Sequence, residues 1–534
     1  MKVQKAVVAA RETPALVVGG SLVGLSAAMF LALQGVPTVL VERHTGSSPH
    51  PKALGYTPRT LELFQLAGIA AQIPQVPADF RLRRARVESL AGQWLEDSNW
   101  TPQKAGQHKP QASVMDYSPQ TGASIPQDLL EPLLRNRARE LGADLRLGTE
   151  LVRFVQDEGG VTAVLRERDG GEEYALRAQY MIAADGHASP IRETLGIPRT
   201  GRGHLTTVRS VLFRAPLDEY LQSGIHQFEI DQPNLKAFLT TYNDGRWVLM
   251  FTDDLNRSEE QLTAAVFQAI GRSDLPVEII TTGRWELEAL IAERYTSGRV
   301  FLAGDAAHTL PPTRGGFGAN TGIHDVHNLA WKLAAVLFGA ATPRLLETYS
   351  DERQPVAWLR HQQTFARPDY AVYASDAQRS LPIIEDAAME FGQLYRSTAV
   401  SGAGEELPPA LRPDEWRGQP GTRAPHLWLT RGGARHSTLD LFGKGWVLLA
   451  EDDRWSQAVE RVSEALGLEL ESLRVGTDVE LEDARIFRAA FGLGAGGASL
   501  IRPDGYIAWR SPALPKDPAQ ALTQTLRQVA STAR

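Results

Sequence analysis

Two kinds of apolar pattern alternate along the chain. Residues 15–18 and 38–42 are short, nearly continuous apolar runs, and residues 22–34 between them form an apolar stretch of helix length. The start therefore predicts strand, helix and strand, with Gly19, Gly20 and Gly24 at the first joint. Further buried-strand runs occur at 180–184 and 299–303, the first leading into Asp185-Gly186 and the second into Gly304-Asp305. Residues 125–140 carry helical spacing up to Gly142, and residues 144–154 then read as a strand. Four short runs at 208–213, 225–230, 236–241 and 247–251, broken by turns such as Asn243-Asp244-Gly245, predict a β meander whose side chains alternate between two faces. Helical spacing returns at 323–337. Prolines 408, 409, 413, 420 and 425 then mark a boundary, and runs at 446–450 and 499–510 predict one more α/β unit.

Composition narrows the picture modestly. A net charge of −7 gives no reason to expect nucleic acid or an anionic membrane as partner. There are no cysteines, which excludes disulfides, thiolate metal sites and thiol nucleophiles and fits a cytoplasmic protein. Residues 15–41, preceded by Lys2, Lys5 and Arg11, resemble a targeting segment only superficially, because glycines and Pro37 interrupt them. Residues 1–13 read as a loose extension.

Three separated segments carry the candidate chemistry. In the first, a glycine turn between strand and helix is the usual seat for a pyrophosphate on a helix N-terminus. Ser21 takes the place of the middle glycine of G-x-G-x-x-G; its hydroxymethyl tightens the fit and can donate to phosphate. Glu42 closes the second strand, where an acid accepts from a ribose hydroxyl, and favours an unphosphorylated 2′-position. The second segment, Asp185-Gly186 with Ser189 and Arg192, reads by itself as a turn. The third runs from Asp305 to Asn328; Gly315, Gly316 and Gly318 leave main-chain donors open at the start of the helix expected at 323–337. His308 and His324 invite a metal or base role, but no carboxylate pair stands at ligand spacing, so no metal is expected and a structural role is the simpler reading.

The order and spacing of these segments resemble the FAD-dependent aromatic hydroxylases, the group A flavoprotein monooxygenases. Lys52-Ala53-Leu54-Gly55 with Thr57-Pro58-Arg59-Thr60, and Leu329 to Leu333 with Tyr349 to Pro355, extend the match. The stretches 440–446 and 502–505 are similar to aromatic polyketide hydroxylases of the aklavinone and angucycline type. The resemblance implies an α/β fold: a Rossmann-like FAD-binding domain of the p-hydroxybenzoate hydroxylase type over 14–200 and 285–405, a β-sheet substrate domain at 201–284, a linker at 406–420, and a thioredoxin-like C-terminal domain at 421–534 without redox cysteines. It implies non-covalent FAD held by Gly19, Ser21, Leu22, Val23, Gly24, Glu42, Arg43, Lys52, Gln127, Leu151, Asp185, Asp305, Pro312, Gly318, Ala319 and Asn320. Main chain at Pro312, Gly318 and Asn320 would serve oxygen activation, with no side-chain acid or base assigned.

NAD(P)H would reduce the flavin, and O2 would reach an aromatic, phenolic or polyketide-type substrate through a flavin C4a-hydroperoxide. Phe228, Phe238, Tyr242, Trp247 and Met250 are candidate walls for that ring; aromatics at strand spacing are more often plain core. A Baeyer–Villiger oxygenation on the same scaffold and a catalytically silent flavin-binding interaction protein stay open as alternatives. A halogenase is disfavoured, since no Trp-x-Trp-x-Ile-Pro segment occurs. A homo-oligomer is compatible with the sequence.

Overall fold

The computed structural model describes residues 11–80, 82–98, 116–313, 316–481 and 483–532. The first sheet runs in the order Thr296–Ser297, Val300–Leu302, Glu173–Ala183, Arg11–Val18, Thr38–Glu42 and Asp144–Leu147, with Gly160–Glu167 and Thr149–Asp157 added antiparallel beside it. The four central strands are parallel, and the glycine-turn strand lies between the strands at 173–183 and 38–42. Buried on both faces, these strands need no polar alternation, which is why they read as continuous apolar runs. Helix Leu22–Leu33 is apolar around its circumference because it packs between the sheet and helices Phe317–Leu337 and Gln127–Glu140.

Two expectations change here. The first strand begins at Arg11 rather than residue 15, because Arg11, Glu12 and Thr13 pair with Leu176, Arg177 and Ala178 of the long strand; the rest of the expected extension lies outside the described residues. The helix expected at 323–337 begins at Phe317, so Gly318, Ala319 and Asn320 lie inside its first turn.

The second sheet has eight strands, ordered His308–Thr309, Glu278–Ala292, Arg199–Arg214, Arg246–Phe251, Leu235–Thr241, Gln227–Gln232, Arg84–Val87 and Trp94–Ser98. It is wider than 201–284, since two strands come from inside the first domain's segment and Glu278–Ala292 runs on toward the third motif. Helix Glu259–Ile270, with a capping box at Ser258 and Gln261, covers one face. The other face meets residues 50–54 of the first domain.

The C-terminal unit holds a four-stranded sheet, ordered Leu470–Arg474, Trp446–Ala450, Ala498–Ile501 and Ile507–Ser511, with one parallel and two antiparallel pairings. Helices Arg454–Leu466 and Pro518–Val529 pack on one face and Ala484–Phe491 on the other. The expected linker at 406–420 is a packed segment: it contains helix Pro413–Trp416, and the buried Trp416 indole donates to Gly392 O at 2.7 Å. Among the described residues no helix is long and apolar enough to cross a membrane.

Candidate active site

The glycine turn is sterically required. Gly19 has φ +108°, and a Cβ there would collide with Ala184 O, while a Cβ on Gly24 would collide with Gly19 O. Close backbone approach leaves the first-turn amides of helix Leu22–Leu33, including Leu22 and Val23, without intrahelical acceptors at the mouth of the turn. Ser21 does not keep its hydroxyl free for phosphate: Oγ donates to Glu131 Oε1 at 2.7 Å. Gln127 Nε2 donates to both Ser21 Oγ (2.9 Å) and Glu131 Oε1 (2.7 Å), and Gln127 Oε1 accepts from the main-chain N–H of Lys52 at 3.2 Å. The buried Glu131 thus fixes which way the Gln127 amide points and joins three chain segments. Sequence reasoning missed Glu131, although it stands one helical turn from Gln127 on the same face.

Glu42 is partly committed as well. Its Oε2 accepts from Gly20 N at 2.6 Å and its Oε1 from His44 N at 2.8 Å, which clamps the carboxylate at the end of strand Thr38–Glu42 with lone pairs left for a sugar hydroxyl. Arg43 and Lys52 are exposed. Leu151 is half-buried opposite Leu165 next to a bulge in strand Thr149–Asp157.

The second segment is mainly architectural. Asp185 accepts from Ser189 Oγ at 2.6 Å and from Ile191 N at 3.2 Å; burial raises its pKa, and these bonds oppose that shift. The buried Arg192 donates to His187 O and Ala306 O, both at 3.1 Å, tying the second segment to the third. Asp305 is exposed in a single 3-10 turn, Gly304–Ala306, next to the glycine-turn helix.

The third segment ends on helix Phe317–Leu337. Its first-turn N–H groups, those of Gly318 and Ala319 among them, lack intrahelical acceptors, whereas the Asn320 N–H stands in the i, i−4 register with the carbonyl of the cap Gly316. Among the described residues outside its own helix, a Cβ on Gly318 would find nothing nearer than Leu310 O at 4.0 Å, so these residues leave space in front of this turn, and Thr313 Oγ1 nearby is buried without a partner. Both observations fit a flat polar ring seated there. The Asn320 side chain is structural: Oδ1 accepts from Thr57 N (3.0 Å) and Thr60 Oγ1 (2.6 Å), and Nδ2 donates to Gly316 O (2.6 Å). Pro312 is exposed, with its carbonyl fixed by Tyr370 OH at 2.8 Å. Gly315 lies outside the described residues.

Among the described residues no group of three or more His, Asp or Glu side chains is arranged to hold a metal ion, and His308 and His324 have other partners. His308 Nε2 lies 2.7 Å from Asp325 Oδ2, and Arg353 Nε donates to Asp325 Oδ1 at 2.8 Å. Burial pushes the Asp325 carboxyl up, but Arg353 and His308 outweigh it and hold it below its ordinary value. His324 faces Thr60 Oγ1 at 3.0 Å, and burial carries its pKa well below the ordinary value.

The candidate substrate residues divide between the two faces of the second sheet. Phe228 and Trp247 are 0% exposed and pack with Phe213, Leu239 and Val266 under helix Glu259–Ile270. They belong to the core and not to a ligand wall. Phe238 pairs directly with Met250 on the opposite face, where Tyr242 donates to Pro51 O at 2.6 Å. The Arg84 guanidinium lies 4.8 Å from the centre of the Phe238 ring and bonds Asp369 Oδ2 at 3.3 Å, next to the segment that carries Tyr370.

Comparison with known proteins agrees with this geometry. Residues 12–364 match a family model described as FAD binding domain, and residues 417–533 match one described as aromatic-ring hydroxylase, C-terminal. Tetracenomycin A2 monooxygenase-dioxygenase of Streptomyces glaucescens is 40% identical, with 97% of each chain covered. 4-Methyl-5-nitrocatechol 5-monooxygenase of a Burkholderia species is also 40% identical, again with 97% of each chain covered. A ternary complex of aklavinone-11 hydroxylase with FAD and aklavinone superposes with a TM-score of 0.86 at 37% identity, covering 98% of this chain and 100% of that one. The chain belongs to the FAD-dependent aromatic-ring hydroxylases, flavoprotein monooxygenases that use NAD(P)H as co-substrate.

Proposed function

We propose that this enzyme hydroxylates an electron-rich phenolic ring of a polyketide-type or similarly flat aromatic substrate, held against Phe238, Met250 and Tyr242. The observation that carries this reading is the position of that sheet face, which meets residues 50–54 of the flavin domain. Flat aromatic ligands suit such a wall, because offset stacking adds about 0.5–1.5 kcal/mol per aromatic pair beyond burial. Relatives are named for tetracenomycin A2, for aklavinone and as a putative polyketide hydroxylase, which supports a polyketide-type substrate here.

The flavin, reduced by NAD(P)H, supplies the activated oxygen when bound. The chain's own residues do the rest. The first-turn amides of helix Leu22–Leu33 hold the diphosphate, Glu42 and Asp305 accept from sugar and ribityl hydroxyls, and Gln127 is oriented by Glu131. Main-chain donors at Gly318 and Ala319 offset negative charge that develops on the ring, while Pro312, tied to Tyr370, keeps the turn in place. Arg43, Lys52, Leu151 and Asp185 complete the seat. The C-terminal unit is thioredoxin-like and redox-silent, and the enzyme acts in the cytoplasm.

The test is to supply polycyclic phenols, NAD(P)H and 18O2 to the yellow holoenzyme. One labelled oxygen in a hydroxylated product for each NAD(P)H consumed supports the reading. Oxygen inserted between a ring carbon and a carbonyl, or NAD(P)H oxidation with no product from any phenol, contradicts it.

A further inference from the structure

Behind the first turn of helix Phe317–Leu337 lies an arginine outside the segments that carry the resemblance. Arg360, on helix Arg344–Ala366, is 0% exposed. Its Nη1 donates to Thr321 Oγ1 at 2.6 Å and reaches Phe317 O at 3.5 Å, and its guanidinium lies 5.2 Å from the centre of the Phe317 ring. Nε and Nη2 have no hydrogen-bond partner. The nearest carboxylate, Glu390, is 3.9 Å from Nη2, and its other oxygen accepts from Arg59 N at 3.2 Å.

The neighbouring charges are matched more closely. Arg353 holds Asp325 at 2.8 Å, with His308 on the same carboxylate, and Arg59 holds Glu62 at 2.8 Å. Arg360 is therefore the least compensated buried cation of this cluster. It sits within a helical turn of the amides whose positive dipole end faces the open space at Gly318. Burial lowers its pKa and raises that of Glu390, yet an arginine starts so high that it stays charged.

We propose that Arg360 is a positioning residue of electrostatic kind: it adds a full positive charge to the positive end of helix Phe317–Leu337 and thereby favours the reduced, anionic form of the bound flavin over the oxidised form. The proposal rests on the reading that Gly318 and Ala319 face the ring. Reduction brings two electrons from NAD(P)H and one proton into the neutral ring system and leaves it with one net negative charge. A fixed cation in a dry site lowers the free energy of that product and not of the neutral starting form.

The experiment is an equilibrium redox titration of purified holoenzymes against a reference dye, alongside bound-FAD content and melting temperature. Arg360→Met removes the charge at similar length and should shift the two-electron equilibrium toward oxidised flavin about tenfold, or ~30 mV. Arg360→Lys should restore most of the wild-type potential. Glu390→Gln removes the counter-charge and should move the potential the opposite way. Opposite signs at two packed neighbours are not what loosened packing would give.

Wild-type potentials in FAD-loaded Arg360→Met and Glu390→Gln would overturn the proposal. If Arg360→Met yields no folded holoenzyme, Glu390→Gln decides alone: a raised potential supports the proposal, and an unmoved or lowered one overturns it. Gly318→Val separates the two levels. If it leaves FAD affinity and absorption spectrum unchanged, the underlying placement of the ring fails. If it perturbs them while both charge variants titrate as wild type, only the role of Arg360 fails.

Discussion

The flavin domain meets its two neighbours through interfaces of opposite character. Toward the C-terminal unit the contact is charged and fully buried. Arg502 donates to Glu352 and Asp504, Lys332 Nζ donates to Glu352 Oε2 at 2.8 Å, and Asn328 donates to both acids. Arg423 holds Glu62, and Tyr395 stacks on Tyr506 at 4.0 Å between ring centres. Toward the substrate sheet the polar contacts are scattered single bonds and part-exposed pairs: His50 Nε2 to Ser210 Oγ at 2.8 Å, Tyr242 to Pro51 O, Arg246 to Asp128 at 2.7 Å, Arg84 to Asp369 at 3.3 Å and Arg202 to Tyr373 O among them. Buried ion pairs contribute little net stability, but removing one partner is severe because it strands the other charge. The first interface is thus a fixed joint, and the second leaves room for a ligand.

The largest effect should come from breaking the fixed joint. Burial pushes Glu352 up, but Arg502 and Lys332 hold it far below its ordinary value of 4.5. Glu352→Gln leaves Lys332 buried without a carboxylate partner and Arg502 with Asp504 alone, and should cost about 3–5 kcal/mol in urea unfolding at neutral pH. The pH profile carries the same signature. A carboxyl with a depressed folded pKa contributes stability that is fully present above its unfolded value and is lost as pH falls toward the folded one. Wild type should therefore lose stability below about pH 4.5, and the variant should show a shallower acid limb. An unchanged profile would show that the joint is not electrostatic.

The substrate side can be sharpened with a pair of variants on opposite faces of one sheet. Phe228→Ala opens a cavity under helix Glu259–Ile270 and should cost about 3–5 kcal/mol of stability with little change in substrate KM. Phe238→Ala should do the reverse, raising KM for the aromatic substrate about tenfold or less while the melting temperature holds. Equal effects on KM would erase the distinction between the faces. A smaller effect is expected at Asp305, where Ala should weaken FAD binding by about 1–3 kcal/mol, measured by flavin fluorescence.

Much of the flavin half was legible in the sequence because its signals are local. The glycine turn, Glu42, Asp185 and Asp305 each stand at a strand end that its own apolar run announces. What was not legible depends on distant partners. Nothing near Ser21 points to Glu131, and nothing near Phe317 points to Arg360; each meeting is made by helices packing side by side. The helix start at Phe317 was hidden because Gly318 and Gly322 lower local helix propensity. A Cβ on Gly322 would press on Gly304 Cα at 2.9 Å, so packing keeps glycine there. In the meander, alternation divides Phe228 and Trp247 from Phe238 and Met250, but it cannot say which face a helix covers when both are buried.

The central claim is that the first turn of helix Phe317–Leu337 faces the reacting ring, and Gly318→Val tests it most directly. Among the described residues outside its own helix, the nearest atom to a Cβ there is Leu310 O at 4.0 Å, so these residues leave room for the added side chain and an effect reports on what else fills that space. The measurement is hydroxylated product formed per NAD(P)H consumed, with hydrogen peroxide assayed in parallel. Losing donors aimed at developing charge is worth about 10²–10³ in rate. The FAD-loaded variant should therefore still oxidise NAD(P)H but release hydrogen peroxide in place of product. Fully coupled hydroxylation at the wild-type rate would contradict the account.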